Sequence, residues 1–467
     1  MMNVIKKVAR VSLSLLLALT GVLSLPVEVS AATGPGIRAT FGKPVLTSAG
    51  GIDATATLER LHDMHANTYA FRVVTAGEWT DLVDVFAAAA QADGMKVWVS
   101  LYPPSECGGG TCTAPFYNGT DYTGWASEIN NLALEYPVIE GWSIDDFATN
   151  LTTFTPAYVA QLTAATPLVR FYPVVYFNRL TPGLLDDYDA VVNGMIMPFN
   201  DAPYHDTQMV DTLAAQIATA APQLAAHSLT MILMVYAYHL SDNDVVPDVD
   251  YVRQATEYGV DRIDDGTIGG VMQYQLPLKA GQVYSGDNNF SRPSTGGTGA
   301  VVFTVIAEQV TSAGDYADAS TTIQLSPGST SCLLRLYHKD NRTTASSLGY
   351  HLKQAYAGGV KIWQKDVAAE ELDWYSSALL DLMPYLATGQ TTLSLRLYEQ
   401  AGVTNYKATV SFDDLTLTGC SMANPDFETV GGWTFSRHGG PVLVGQHLYD
   451  PAYSTTALAA VGAIYGR

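Results

Sequence analysis

Charge is scarce in this chain, and positive charge scarcest of all. Charged residues make up 15% of its 467 residues, and 24 Lys and Arg face 45 Asp and Glu, a formal net charge of -21. A surface this acidic repels phosphate backbones and anionic membranes, which argues against nucleic acid as a partner and favours a neutral substrate. Cysteine is rare too, at four residues, with no CxxC pair and no His at ligand spacing nearby. That argues against a zinc site and for disulfides in an oxidising compartment. No GxGxxG follows the first strand-like run, which counts against a dinucleotide-binding doubly wound sheet. No GxSxG elbow and no HExxH helix is present, so serine-hydrolase and zinc-peptidase chemistry lose their usual signatures, and no cofactor is expected. Beyond the first 31 residues no apolar run is long enough to span a bilayer.

Apolar and aromatic residues, in contrast, are plentiful: 48% of the chain is hydrophobic, with 27 Tyr and 7 Trp. This is the composition of a protein with large buried cores, divided by length into two or three domains. Residues 1–31 read as a signal peptide: Lys6, Lys7 and Arg10 precede an apolar stretch from Val11 to Leu25, and Val29-Ser30-Ala31 offers a small-residue cleavage site. A secreted, extracellular protein with no membrane attachment after cleavage is expected. Cys107 and Cys112 flank a Gly-rich tetrapeptide and are expected to pair, leaving Cys332 with Cys420.

Over residues 32–280, short apolar or β-branched runs alternate with stretches of helical periodicity. The runs are Ile37–Phe41, Thr68–Val74, Lys96–Leu101, Ile139–Ile144, Val169–Phe177, Ala190–Phe199, Leu229–Tyr238 and Ile268–Leu276. Helices are expected near Asp53–Met64, Trp79–Ala92, Tyr122–Tyr136, from Thr155-Pro156, over Thr207–Leu224 and over Val249–Tyr258. Eight strands alternating with helices over this length predict an α/β fold, a (β/α)8 TIM barrel, with an open doubly wound sheet as the alternative. Residues 281–300 read as a linker or long loop, and 301–420 as an all-β sandwich in which Glu370–Leu386 looks helical.

Ser411-Phe412-Asp413-Asp414-Leu415-Thr416-Leu417 resembles the closing strand of jelly-roll carbohydrate-binding modules. Asn424-Pro425-Asp426-Phe427-Glu428, with Trp433, resembles the opening of another. The resemblance implies a carbohydrate-binding-like domain over 301–420 and the start of a further β module over 421–467. That last stretch is too short for a whole sandwich, so it is either truncated or packed on its neighbour. A generic sandwich that only supports the barrel is the competing reading.

Barrel active sites sit at the C-terminal ends of the strands. Strand four ends in Ile144-Asp145-Asp146-Phe147, two carboxylates closing an apolar run. Burial and like charge raise a carboxylate pKa, which suits a general acid near neutral pH. The structural alternative is that Asp146 caps the next turn while Asp145 pairs with a barrel arginine such as Arg72. A second carboxylate from another strand end is available in Glu106 or Asp201. Tyr102, Tyr176, Asn178, Asn200, Tyr236, Tyr238, Gln273 and Gln275 also fall at strand ends, beside His239 and Tyr274. Aromatic rings stack on sugar faces, and amides hydrogen-bond hydroxyls. His62 and His65 read as a solvated pair, and Asp242, Asp244, Asp248 and Asp250 as a solvated acidic loop or a calcium site.

This constellation resembles secreted glycoside hydrolases that carry a barrel and an accessory sugar-binding module. The paired aspartates are similar to those of O-GlcNAcase-type barrel hexosaminidases. That resemblance implies substrate-assisted catalysis, with Asp145 orienting an acetamido group and Asp146 as acid/base. The expected function is extracellular cleavage of glycosidic bonds in a carbohydrate substrate. The alternative is a non-catalytic carbohydrate-binding or surface protein on a barrel scaffold.

Overall fold

The computed structural model describes residues 36–116, 121–199, 201, 206–238, 247–279, 297–305, 310–340, 349–367, 371–403, 408–448 and 450–467. The expected signal peptide, Asn200, His239, Asp242 and Asp244 lie outside the described residues. Everything described belongs to one compact unit, Gly36–Arg467.

Eight parallel strands form the first half: β1 (Ile37–Gly42), β2 (Thr68–Val73), β3 (Lys96–Leu101), β4 (Ile139–Ile144), β5 (Arg170–Phe171), β6 (Gly194–Phe199), β7 (Thr230–Tyr236) and β8 (Gly270–Tyr274). They pair in the order β5-β4-β3-β2-β1-β8-β7-β6. A parallel bridge from Val174 to Ile196 joins the two ends and closes the barrel. β5 is short because Pro173, which has no N–H to donate, interrupts the run; Val174 and Val175 resume the pairing through Ile144 and Ile196.

Helices α1 (Ala54–Asp63), α2 (Ala76–Asp81), α3 (Ala87–Asp93), α4 (Tyr122–Glu135), α5 (Pro156–Ala165), α6 (Pro182–Tyr188), α7 (Leu213–Ala226) and α8 (Val249–Asp264) follow strands one to seven. Many open on caps legible in the chain: Asp53, Asp121, Thr155, Thr181 and Asp248 each accept a backbone N–H of the first turn. Thr75 and Glu78 form a reciprocal capping box. A π turn over Leu82–Phe86 splits the second predicted helix into α2 and α3. α7 begins at Leu213, six residues later than the periodicity suggests, because Asp206 turns the chain by accepting the Gln208 N–H.

The alternation of the strands sorts their side chains into two cores. Ala39, Phe41, Ala70, Trp98, Tyr172, Val174, Ile196, Ile232, Met234 and Met272 fill the barrel interior. Residues of opposite parity, such as Phe71, Val99, Trp142, Phe199, Leu233 and Val271, pack under the helices.

The second half is a β-sandwich. Its strands are β9 (Ala300–Val305), β10 (Tyr316–Leu325), β11 (Leu333–Asp340), β12 (His351–Ala357), β13 (Val360–Asp366), β14 (Tyr375–Ser376), β15 (Leu380–Asp381), β16 (Gln390–Glu399), β17 (Ala408–Thr418), β18 (Cys420–Ser421), β19 (Thr434–His438) and β20 (Val442–His447). One sheet runs β13-β12-β16-β10-β18 with β19 also on β10; the other runs β14-β11-β17-β9-β20 with β15 also on β11. Both expected disulfides are present, Cys107–Cys112 and Cys332–Cys420. Of the expected helix Glu370–Leu386, the described residues 371–386 form no α-helix: β14 and β15 pair with the edge of β11, and Glu371 accepts a hydrogen bond from the buried Lys353.

The stretch from 421 onward opens no new module. β19 and β20 complete the two existing sheets by pairing with β10 and β9. A final helix, α9 (Tyr453–Tyr465), then returns to the barrel and packs between α8 and α1. Its Tyr453 hydroxyl donates to the Ala237 carbonyl, and its buried Tyr465 hydroxyl reaches the backbone carbonyls of Ala39 and Val271. Gly462 lets α9 approach this closely, since a Cβ there would lie 2.5 Å from the Asp63 carbonyl oxygen. α9 is therefore the barrel's eighth helix, and the sandwich is an insertion between β8 and that helix. Among the described residues no helix is long and apolar enough to cross a membrane.

Candidate active site

Strand parity identifies the side chains at the barrel mouth. Six of the inward rows, continued toward the C-terminal ends of their strands, reach Arg72 on β2, Tyr102 after β3, Asp145 after β4, Tyr176 in the fifth run, Tyr236 on β7 and Tyr274 on β8. Below them Trp98 and Tyr172 stack in parallel at 4.5 Å, making an aromatic floor. Gly141 leaves room for it: a Cβ at that position would meet the Trp98 ring at 2.8 Å.

Asp145 extends the inward row of Gly141 and Ser143, the latter sharing a 2.7 Å hydrogen bond with Ser100. Simple alternation would send Asp146 outward. Instead its φ of 41° puts it in the left-handed region, which Asp tolerates better than most residues, and the chain bends there. The Asp146 N–H donates to the Asp145 carboxylate at 2.9 Å. Asp146 stands at the cap position of the following turn, Phe147–Thr149, but caps it through its carbonyl oxygen, which accepts the Thr149 N–H at 3.2 Å and the Thr149 hydroxyl at 2.7 Å; its carboxylate makes no capping hydrogen bond. Arg72 does not pair with Asp145 either: its guanidinium donates to Glu78 at 2.5 Å and to the Tyr102 hydroxyl at 3.4 Å.

Glu106 ends the turn Pro104–Glu106 after β3, close enough to Asp145 and Asp146 for both charges to act on it. Three half-buried carboxyls thus meet at one side of the mouth. Burial, and then the Asp146 charge, push Asp145 up to about 7. Burial, and then the charges of Asp145 and Asp146, push Glu106 up to about 8.

Tyrosines surround them. The Tyr176 and Tyr236 hydroxyls are 3.0 Å apart, and the Asp146 charge acts on Tyr176. Tyr236 and Tyr274 meet edge to face at 4.8 Å, and Tyr274 stacks on Phe41 at 5.4 Å. Burial and the neighbouring carboxylates raise the pKa of Tyr102, Tyr176, Tyr236 and Tyr274, so all four hydroxyls stay protonated as hydrogen-bond donors. Gln275, next to Tyr274, has a left-handed backbone, and its N–H donates to the Phe41 carbonyl at 2.6 Å.

Other candidates fall elsewhere. Asp201 is fully buried, pairs with Arg437 of β19 and accepts hydrogen bonds from Thr212; it ties barrel to sandwich. Gln273 has the wrong parity for the mouth, and its amide donates to Thr256 of α8 and Tyr465 of α9. Asn178 is exposed on the turn Phe177–Arg179. Tyr238 is half-buried beyond β7. Asp248 caps α8, Asp250 pairs with Arg253, and His62 pairs with Asp93 on the surface. Among the described residues no group of His, Cys, Asp and Glu is arranged to hold a metal ion. Asn150, which links the Glu106 loop to Asp146, carries no motif that would have singled it out.

No family model and no curated protein matches the chain. Among solved structures it is similar to a glucosidase from Croceicoccus marinus, with 10% identity over 81% of this chain and 95% of the other, at a TM-score of 0.39. A chitinase from Chromobacterium violaceum matches at 10% identity over 52% and 95%, TM-score 0.36. A thermostable mutant of a xylanase from Cellvibrio japonicus matches at 13% over 53% and 88%, TM-score 0.35. The fold assignment rests on the strand pairing itself, and these similarities assign no activity.

Proposed function

We propose that the protein is an extracellular glycoside hydrolase acting on a neutral carbohydrate at the mouth of the barrel. The observation that carries the reading is the meeting of Asp145, Asp146 and Glu106 within a collar of tyrosines, with two of the three carboxyls raised to about 7 and about 8. Such a site holds a transferable proton beside ionisable carboxylates at neutral pH. Glu106 donates its proton to the departing glycosidic oxygen as the bond to the anomeric carbon breaks. Asp145 and Asp146 face the positive charge that develops on the sugar ring. Water then adds its oxygen to the anomeric carbon and returns a proton to Glu106. The tyrosine rings and hydroxyls, with Gln275, hold the sugar. The two disulfides and the N-terminal stretch read as a signal peptide support the extracellular assignment. The sandwich, over 301–420 and extended to the end of β20, is the accessory domain in this reading.

The test is reducing-sugar release across a polysaccharide and nitrophenyl-glycoside panel, with Asp145→Asn, Asp146→Asn and Glu106→Gln alongside. Loss in all three variants is expected. Wild-type activity that survives in all three would reject this site. A wild type that binds a glycan without cleaving any would favour a carbohydrate-binding protein.

A further inference from the structure

The two loops that carry the carboxyls are joined by one buried side chain. Asn150 accepts the Ser105 N–H on Oδ1 at 3.3 Å, and its Nδ2 donates to Ser105 Oγ at 2.9 Å and to the Asp146 carbonyl oxygen at 3.0 Å. Nδ2 also lies 3.0 Å from Thr149 Oγ1. Ser105 immediately precedes Glu106, so a single amide spans the gap between the end of β3 and the end of β4. The pattern needs one acceptor and one donor group on the same short side chain, which Asn supplies and a carboxylate or an apolar residue does not. Beyond Glu106 the chain is held by Cys107–Cys112 and by the N–H groups of Thr113 and Ala114 on the Val74 carbonyl, at 3.0 and 3.1 Å. The intervening Gly108–Gly110 has no side chains to anchor it. Glu106 is thus fixed on one side by the disulfide and on the other by Asn150.

We propose that Asn150 is a positioning residue that holds the Glu106 loop against the Asp146 turn and so keeps the carboxyls of the site together. Glu106 faces Asp145 and Asp146 from β4, Tyr102 from β3 and Tyr122 from α4; Asp146 also faces Tyr176. Without the amide link the β3 loop relaxes outward. The like charges separate, water reaches Glu106, and its titration moves down from about 8 toward the ordinary carboxyl range.

The inference rests on the hydrolase reading only for its kinetic arm. The primary measurement needs no substrate: infrared titration of the protonated-carboxyl band from roughly pH 5 to 9, spanning the ordinary and raised carboxyl ranges, with the Glu106 component assigned by Glu106→Gln. In Asn150→Ala that component is expected to titrate at lower pH, with an acidity constant increased about tenfold or more. Ser105→Ala, which removes one of the four Asn150 contacts by changing an exposed residue, is expected to shift it the same way by less. A purely structural asparagine would lower the melting temperature and leave the band in place. That result in Asn150→Ala overturns the proposal. If Asn150→Ala does not fold, an unshifted band in Ser105→Ala overturns it. With an active wild type, the basic limb of kcat/KM moves down in step with the band. A shifted band in a protein that cleaves no glycoside supports the positioning role while the hydrolase reading fails.

Discussion

Asp145 and Glu106 are held partly out of water beside a third carboxyl, and this has a cost with a definite pH dependence. Their ordinary values are 3.8 and 4.5, and in the folded chain they rise to about 7 and about 8. Across that window the folded state keeps protons that the unfolded state has lost, so stability falls as pH rises through it and levels off above it. Asp145→Asn is therefore expected to be more stable than wild type at pH 8, by something on the order of 1 kcal/mol after solvent screening, and nearly equal to it at pH 4. Urea unfolding at the two pH values checks this; equal destabilisation at both would contradict it. Catalysis runs the other way. The acid must be protonated, so kcat/KM should decline above about pH 8 as Glu106 ionises, and Glu106→Gln should lose roughly 10²–10⁴-fold and the limb with it. At this scale the placement of much of the candidate site was legible, because Tyr102, Asp145, Tyr176 and Tyr236 lie at strand ends on the inward parity. Gln273 was misplaced by one step of that alternation. Asp201 was misread because its partner, Arg437, lies 236 residues away in the chain.

Among the elements, β4 shows how the site depends on its base. Gly141 reads in sequence as an unremarked small residue, but it faces the flat of Trp98 inside the barrel. Gly141→Ala should force the Trp98–Tyr172 stack apart and cost about 1–3 kcal/mol through overpacking. Guanidinium denaturation measures the loss, and a shift in Trp fluorescence would locate it; an unchanged midpoint would show that the floor yields freely. The barrel strands were readable from their apolar runs, and the helices from their caps. α6 and α9 were not recognised. α6 is only seven residues long, and α9, with Ala457, Leu458, Ala459, Ala460 and Val461 in sequence, lacks a polar stripe to mark its outer face. Glu370–Leu386 misled in the opposite direction, since the open edge of β11 outweighed local helical periodicity.

For the molecule as a whole, the sandwich is bound to the barrel by covalent insertion and by side chains. Arg437 of β19 reaches the fully buried Asp201 and lies 3.1 Å from Asp211, and the Gln208 side chain pairs with the Gln446 backbone, donating to its carbonyl and accepting its N–H. Arg437→Met would strand the Asp201 charge and is expected to cost about 3–5 kcal/mol. Adding Asp201→Asn should recover part of that loss, as thermal melts of the single and double variants would show. Removing Tyr453–Arg467 should be worse. It uncovers Tyr453, Ala457, Leu458, Val461, Ile464 and Tyr465, each large side chain contributing about 1.5–3 kcal/mol when buried, a sum comparable to the whole stability of an ordinary domain. Aggregation of the shortened chain on expression is the expected outcome, and a soluble monomer with native circular dichroism would contradict it.

The insertion also sets a timetable. Gln273 of β8 and its partner Tyr465 of α9 are 192 residues apart. At about 5–20 residues per second of synthesis, roughly 10–40 s separate them. Through that interval all eight strands exist while the strip between α8 and α1 stays bare, so a nascent barrel offers its longest-lived apolar surface to chaperones at that seam.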